Sequence, residues 1–300
     1  MQHYGSMKNC GILKERTGRN TKDMDNFLSI RGAVNKYIDS CEIKIRTSPL
    51  KLFVKAIYAG LMIAMGAAGS SVAAHNVANV GLSRLAAGVV FPVGLMMVIL
   101  TGAELFTGDC LMIMGTVEKR TTPGQLIKIL SAVFIGNFLG AGFLAFAVYK
   151  SGQLDYSGGL LGAYTIKIAL GKTTIDFERA FASGILCNIL VCAAVVMALC
   201  ARDIAGKLLV SFFVILLFVT SGYEHCVANM YYIAAGLFAK TNPDYVRIAM
   251  EQYGYTAEQL GALNISGFLV DNLIPVTIGN LVGGMLLLGL PIWYVSKDKE

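Results

Sequence analysis

Apolar residues in this sequence are gathered into long blocks that are separated by short polar stretches. A helix that crosses a bilayer core of about 30 Å needs about 20 apolar residues, and six blocks reach that length. The blocks run from Leu52 to Asn76, Leu85 to Thr116, Leu126 to Val148, Ala180 to Ala201, Leu208 to Ala239 and Asn272 to Tyr294. The pattern predicts an all-α membrane protein with six transmembrane helices.

Composition agrees with this pattern, since 55% of the 300 residues are hydrophobic and 15% are charged, with a mean hydropathy of +0.62. In a water-soluble protein the net charge of +6 would suggest nucleic acid. Here eighteen of the 25 lysines and arginines fall in segments that share one side of the membrane if both termini are cytoplasmic. The positive-inside rule therefore predicts a multi-pass protein of the cell (inner) membrane with cytoplasmic termini and no nucleic-acid partner.

The polar ends of the chain are predicted to form separate segments. Residues 1–48 would be a cytoplasmic N-terminal segment, residues 49–296 the six-span domain, and residues 297–300 a cytoplasmic tail. The first fifty residues contain no long apolar run, so no secretory signal peptide is expected. Apolar residues recur among charges from Phe27 to Ile45, which predicts a helix in the headgroup region, with a solvated tail as the alternative.

The seven cysteines form no C-x-x-C pair and lie mostly within the apolar blocks. Cysteine in such surroundings behaves as a small apolar residue. We therefore expect no disulfide framework, no metal site and no cofactor.

Two short motifs each occur twice, in the same order along the chain. Ile135–Gly140 and Ile278–Gly283 share the pattern Ile-Gly-Asn-x-x-Gly, and Thr101–Leu105 and Ser221–His225 share a Gly-x-Glu core. A repeat unit of three spans is odd in number, so its second copy must enter the membrane from the opposite side. We expect inverted repeats at about residues 49–150 and 178–296.

The second and fifth blocks are longer than a straight crossing requires, and each carries a glycine and ionisable residues in mid-course. Such residues are costly in hydrocarbon unless they face protein or water. We predict broken helices near Gly102–Gly108 and Gly222–Cys226. Glu104 and Glu224 are expected to accept hydrogen bonds from the interrupted backbone. His225 is expected to be functional, because ionisable groups at membrane depth mark permeation or proton pathways.

The adjacency of Glu224, His225 and Cys226 also raises the possibility of an intramembrane enzyme. Neighbouring residues on a regular helix point in different directions, whereas a catalytic acid, base and nucleophile must converge. We therefore interpret the chain as a transport protein and not an enzyme. A carrier with alternating access would use the same histidine and stays open.

These motifs resemble those of the formate/nitrite transporter family, and the resemblance runs from about Pro49 to Tyr294. The segments that carry it are Gly102–Gly108, Cys187–Cys192, Ser221–Met230 and Asp271–Asn280. It implies an aquaporin-like channel domain in the lipid bilayer, assembled as a homopentamer with one pore in each protomer.

The resemblance also implies roles for individual residues. An outer apolar constriction would be formed by Phe91, Val191 and Phe218, and an inner one by Leu95, Leu105 and Phe106. The substrate pathway would include Lys172 in the outer vestibule and the chamber residues Thr107, His225, Asn280, Asn188 and Asn229. Cys226 stands where serine is expected in formate and nitrite channels, which bears on the choice of substrate.

The function implied is a channel for small monovalent anions, with formate as the first choice. Nitrite, hydrosulfide and a proton-coupled monocarboxylate carrier are the alternatives. Burying an unpaired charge between apolar rings is costly. Our hypothesis is that Thr107, Asn280 and His225 hold the anion, which is transiently protonated and crosses the constrictions as the neutral acid or as a closely paired species. Protons would then be partners alongside the anions.

Overall fold

The computed structural model describes residues 27–297, and these residues are almost entirely helical. The parts of the predicted terminal segments at residues 1–26 and 298–300 lie outside the described residues. An isolated antiparallel bridge joins Phe27 to Ala201. The helices are α1 Ile30–Arg46, α2 Pro49–Ala74, α3 Val80–Thr101, α4 Phe106–Val117, α5 Pro123–Lys150, α6 Leu160–Thr173, α7 Phe177–Cys200, α8 Ile204–Ser221, α9 Cys226–Ala239, α10 Pro243–Tyr253, α11 Ala257–Gly261 and α12 Gly267–Val295.

Six of the described helices, α2, α3, α5, α7, α8 and α12, are long and apolar enough to cross a membrane. This confirms the predicted all-α fold class with six membrane helices. The fifth span begins at Ile204, four residues before its predicted start, because the side chain of Asp203 caps the helix there. Asp203 Oδ1 accepts a hydrogen bond of 2.8 Å from the backbone N–H of Gly206, one of the donors that a helix start leaves unpaired.

Helices α3 and α8 both end at a glycine in the left-handed conformation. Gly102 has φ of 65° and Gly222 has φ of 75°, a region that costs residues with a β-carbon about 1–2 kcal/mol. Three non-helical residues follow each glycine before α4 begins at Phe106 and α9 begins at Cys226. The backbone is therefore non-helical at two places, and its polar groups there need other partners.

Glycines let two helix pairs approach closely, in the same way in both halves of the chain. A β-carbon on Gly140 of α5 would lie 2.1 Å from the carbonyl oxygen of Ile57 on α2. A β-carbon on Gly283 of α12 would lie 2.2 Å from the carbonyl oxygen of Ile185 on α7. Small residues at helix contacts are the usual means of close packing in membranes, so the repeated motifs correspond to repeated contacts.

Helix α12 contains two π-helical stretches, Gly267–Leu273 and Val282–Gly289. Each is followed by a proline, Pro275 or Pro291, within two residues of its end. Proline has no N–H and its ring clashes with the carbonyl of the preceding turn, so a wider turn relieves the crowding. The sequence pattern did not indicate these stretches.

Two further helices lie outside the six spans and reach the site described below. The apolar side of α1, which includes the buried Val34, Tyr37 and Cys41, packs against α4 and α7. Helix α1 therefore exists as predicted, but that side contacts protein where a headgroup contact was expected. Helix α6 lies in the connection between α5 and α7, where no helix was predicted, and packs against α9 and α10.

Candidate functional site

Asn137 on α5 holds the interruption between α3 and α4. Its Oδ1 accepts a hydrogen bond of 2.9 Å from the backbone N–H of Phe106. Its Nδ2 donates to the carbonyl oxygens of Ala56 at 2.7 Å and Glu104 at 3.0 Å. One buried amide thus satisfies three backbone groups that the missing helical turn leaves without partners.

Asn280 on α12 holds the interruption between α8 and α9 in the same way. Its Oδ1 accepts from the N–H of Cys226 at 2.9 Å, and its Nδ2 donates to the carbonyl oxygens of Gly184 at 2.8 Å and Glu224 at 3.0 Å. Both amide hydrogens are engaged, so Asn280 has none to offer an anion. The geometry therefore gives Asn280 a structural role, in contrast to the predicted role in holding the anion.

Glu224, in the second interruption, is bound by side chains. Lys172 Nζ at the end of α6 lies 2.9 Å from Glu224 Oε1, and Asn229 Nδ2 donates to Glu224 Oε2 at 2.6 Å. Asn272 Nδ2 lies 3.4 Å from the same oxygen and donates to the Lys172 carbonyl at 2.9 Å. The charge of Lys172 is therefore paired. The expectation that Glu224 pins the backbone is corrected, because that task falls to Asn280.

Glu104, in the first interruption, belongs to a second cluster with a lysine. Lys44 Nζ on α1 lies 2.6 Å from Glu104 Oε2 and also contacts Asp109 Oδ1. Lys55 Nζ lies 3.7 Å from Glu104 Oε1. Sequence reasoning missed Lys44 and Asp109. Two signals for Asp109 were available in the sequence. It is an ionisable residue within a predicted span, and it follows Glu104 by five positions, as Asn229 follows Glu224.

Thr107 and His225 are in contact, one from each half of the chain. Thr107 Oγ1 lies 2.9 Å from His225 Nε2, and His225 Nδ1 accepts a hydrogen bond of 3.0 Å from the N–H of Ala228. An acceptor nitrogen carries no hydrogen, so this bond places the proton of the neutral ring on Nε2. Nε2–H then donates to Thr107, whose own hydroxyl hydrogen stays available for another acceptor.

Several of the predicted constriction residues are buried apolar side chains, and one of them packs against this pair. The ring of Phe218 packs edge-on against Phe91 with centroids 5.7 Å apart, and lies 5.9 Å from the ring of His225. Val191 is also buried. Leu95 and Leu105 border a cavity of about 310 Å³ that Lys44, Glu104 and Asp109 also line.

The remaining predicted site residues contact protein. The ring of Phe106 packs against Phe134 with centroids 5.0 Å apart. Phe106 is not among the described residues that line the cavity. Asn188 Nδ2 donates to the Asn280 carbonyl at 2.7 Å. Asn229 is buried beside Glu224, and its Oδ1 has no partner within residues 27–297. No group of three or more His, Cys, Asp or Glu in that range could hold a metal ion.

These features define an α-helical multi-pass membrane protein in which two interrupted helices meet at a buried polar pair. The chain belongs to the formate/nitrite transporter family, whose model matches residues 31–294. Family membership confirms the resemblance noted in the sequence, and it assigns the chain to transport proteins and not to enzymes.

Relatives of known name match most of the chain. The formate channel FocA of Haemophilus influenzae is 36% identical over 258 residues, which is 85% of this chain and 89% of that protein. FocA of Escherichia coli K12 is 34% identical over 256 residues, or 84% and 88% of the two chains. A probable formate transporter of Methanothermobacter thermautotrophicus is 36% identical over 271 residues, which cover 84% of this chain and 91% of that protein.

Two solved structures share the fold. A pentameric formate channel with formate bound has a TM-score of 0.73 and 33% identity, covering 83% of this chain and 97% of its own. An ion channel of the same family has a TM-score of 0.74 and 30% identity, covering 88% and 98%. The chain therefore shares the all-helical fold of these family members, with six candidate membrane helices.

Proposed function

We propose that the chain is a homopentameric channel for small monovalent anions, with formate as its cargo and one pathway through each protomer. The observation that carries the proposal is the buried Thr107–His225 pair, a polar contact of 2.9 Å. We propose that Phe91 and Phe218 flank it on one side and Leu95 and Leu105 on the other. The FocA relatives are named formate channels, and the pentameric neighbour holds formate. These names support both the cargo and the assembly.

The chemistry of the pair suits an anion. An anion that leaves water needs hydrogen-bond donors, because an unsatisfied buried charge is costly. The Thr107 hydroxyl can donate to the anion while it accepts from His225 Nε2–H. We propose that the anion binds to this hydroxyl and then passes the flanking apolar side chains. A small anion such as formate is compact enough to move between them.

The geometry sharpens the proposed role of His225. Its Nε2 proton can be lost to an anion only if Nδ1 takes up another proton, since the ring would otherwise become an anion itself. Protonation of Nδ1 breaks its bond with the N–H of Ala228. We therefore propose that His225 mainly positions the Thr107 hydroxyl, and that any proton transfer through the ring opens the first turn of α9.

We propose a positioning role for Lys172 as well. Its side chain is 15% exposed and its charge is paired with that of Glu224. Because the two charges cancel at a distance, the pair attracts anions only weakly at long range. The ammonium group still offers hydrogens at the α6 end of the pathway. We retain the inverted repeat as a proposal, supported by the identical bonding of Asn137 and Asn280.

The test is a flux assay in liposomes with formate, nitrite and hydrosulfide side by side. The variant His225→Asn keeps an oxygen that can accept from Ala228 but removes the donor to Thr107. We expect preferential formate flux in the unmodified protein and a strong loss in the variant. Thr165→Val, which removes a buried hydroxyl bonded within its own helix, serves as the control and should retain flux.

Absence of flux for all three anions from an intact oligomer would contradict the proposed function. A preference for nitrite or hydrosulfide would replace the cargo and keep the channel. Saturable transport with a fixed proton stoichiometry would favour the proton-coupled carrier, whereas very fast flux with weak temperature dependence supports the channel.

A further inference from the structure

Two carboxyl groups share one ammonium group at the α1 end of the pathway. Lys44 Nζ contacts Asp109 Oδ1 and lies 2.6 Å from Glu104 Oε2. The Asp109 and Glu104 side chains are only 4% and 8% exposed, so both carboxyl groups are buried beside the one ammonium group.

Asp109 has an oxygen that nothing in the described chain satisfies. Its Oδ2 is buried and has no hydrogen-bond partner within residues 27–297. An ionised carboxylate with such an oxygen loses its hydration without compensation. Two like charges in one buried site also disfavour each other's ionisation. A proton on Asp109 removes both its uncompensated charge and the repulsion between the two carboxylates.

The other charged and titratable groups around the pair do not take over this task. Facing groups come from α1, α2, α7 and α8: Lys36, Tyr37, Cys41, Lys44, Lys55, Cys192 and Lys207. Lys55 reaches Glu104 at 3.7 Å but is 47% exposed. Lys36 and Lys207 line the cavity and form no ion pair with Asp109 within the described chain.

The groups of α1 are also poor proton donors. Burial, and then the Asp109 carboxyl, raises the pKa of Tyr37 well above its ordinary value. Burial raises the pKa of the Cys41 thiol to about 12. Burial alone would lower the pKa of Lys44, but the Asp109 and Glu104 carboxylates raise it above its ordinary value. At neutral pH these three groups keep their protons.

We propose that Glu104 and Asp109 hold one proton between them and donate it to an anion in the adjoining cavity of about 310 Å³. The donation rests on the proposed function as an anion channel. In the transfer, the carboxyl O–H bond breaks and an O–H bond forms on the anion. The electron pair stays on the carboxyl group, which becomes a carboxylate beside Lys44. The pair regains its proton from water at the open side of the cavity.

This site is placed where a neutral acid is needed. Leu95 and Leu105 border the same cavity, so an anion protonated there meets the apolar side chains without a charge. Formate is itself a carboxylate, so the proton moves from one carboxyl oxygen to another of the same chemical kind.

The test uses Asp109→Asn in the full-length protein, with infrared spectroscopy and liposome flux as separate readouts. The variant gives the α1 end the same amide that Asn229 supplies at the other end, so the fold should persist. We expect a carbonyl band of a protonated carboxyl group at neutral pH in the unmodified protein and its loss in the variant. Formate flux should fall by about 100-fold, the lower end of what a positioned proton donor contributes.

Two variants provide controls. Asp109→Glu retains a carboxyl group and should restore both the band and most of the flux. Asp176→Asn, at the exposed cap of α7, repeats the chemical change away from the pathway and should alter neither. Glu104→Gln removes the other carboxyl group and should also abolish the band.

The outcomes separate this proposal from the proposed function. Absence of the band in the unmodified protein overturns the shared proton whatever the flux. A band that is lost in Asp109→Asn without any change in formate flux overturns the donation step. Absence of flux in the unmodified protein contradicts the channel, while the band still tests the proton.

Discussion

The α6 and α1 ends of the proposed pathway share their backbone geometry and differ in their charge. At the α6 end, one lysine, Lys172, pairs with one carboxylate, Glu224, and amides complete the cluster. At the α1 end, Lys44 serves two carboxyl groups, Glu104 and Asp109. The backbone at both ends is held by an asparagine with three matching hydrogen bonds. The fold therefore specifies the backbone of an interrupted helix, while the charge beside it is free to vary.

The lysines explain how that variation arises. Lys172 comes from α6 and Lys44 from α1, and neither helix belongs to the six spans or to the repeated motifs. Each cluster acquires its lysine from a helix outside the six spans, so the two clusters are not tied to each other by the proposed repeat. Changes that treat the ends alike test the shared geometry, and changes that treat them differently test the charge.

The largest effect is expected from removing the asparagines. Asn137→Leu and Asn280→Leu each leave three buried backbone groups without partners, at about 1–3 kcal/mol for each group. We expect the free energy of unfolding to fall by about 5 kcal/mol in either variant, measured as thermal stability of the purified protein in detergent. Asn35→Leu, which removes an exposed amide on α1, is the control. A large difference between Asn137→Leu and Asn280→Leu would break the equivalence of the two ends.

The next effect separates the ends. Glu224→Gln leaves the Lys172 ammonium without a carboxylate, and breaking a buried ion pair costs about 3 kcal/mol at the lower end of its range. Glu104→Gln leaves Lys44 in contact with Asp109, so its loss of stability should be clearly smaller. Thermal unfolding of the two variants provides the comparison.

A compensating variant completes that comparison. Lys172→Met with Glu224→Gln removes both charges and should recover part of the stability lost in Glu224→Gln alone. Equal destabilisation by Glu104→Gln and Glu224→Gln would mean that Asp109 does not support Lys44.

Sequence patterns predicted the spans and the positions of Gly102 and Gly222, because apolar length and glycine placement are properties of short segments. The same patterns found the motif asparagines Asn137 and Asn280 but misjudged the second. Its partners are carbonyl groups of α7 and of the interruption, and only the approach of three segments brings them within 3 Å of one amide. Local spacing carries no information about such a meeting.

The clusters were harder to foresee than the fold. Lys44 is one of many basic residues before the first span, and nothing in its neighbourhood distinguishes it from a lysine that sets topology. Asp109 is a single acidic residue beside Cys110 in an apolar block. Its contact with Lys44 exists only because α1 packs against α4. Phe106 was placed at a constriction by resemblance, whereas the aromatic contact with Phe134 draws its ring toward α5.

A smaller effect is expected at the point where the halves meet. Thr107 belongs to the first half and His225 to the second, and Val227 stands at the position equivalent to Thr107. Thr107→Val removes one hydroxyl and one hydrogen bond, worth about 1 kcal/mol, so formate flux should fall by about five- to tenfold. Thr107→Ser should retain most of the flux, and an equal loss in both variants would show that the hydroxyl is not what the pathway uses.

The smallest effect concerns how each lysine-bearing helix is attached. Helix α1 is fastened at its surface by Arg120, which contacts Glu42 and lies 3.3 Å from Asp39. Such exposed pairs contribute little and are screened by salt. Arg120→Ala should lower the thermal stability slightly at low salt and not at high salt. Arg247→Ala, whose partners lie on its own helix, is the matched control. A large loss of thermal stability in Arg120→Ala that persists at high salt would contradict this expectation. It would mean that α1 is attached by its surface contacts more than by the buried Lys44 cluster.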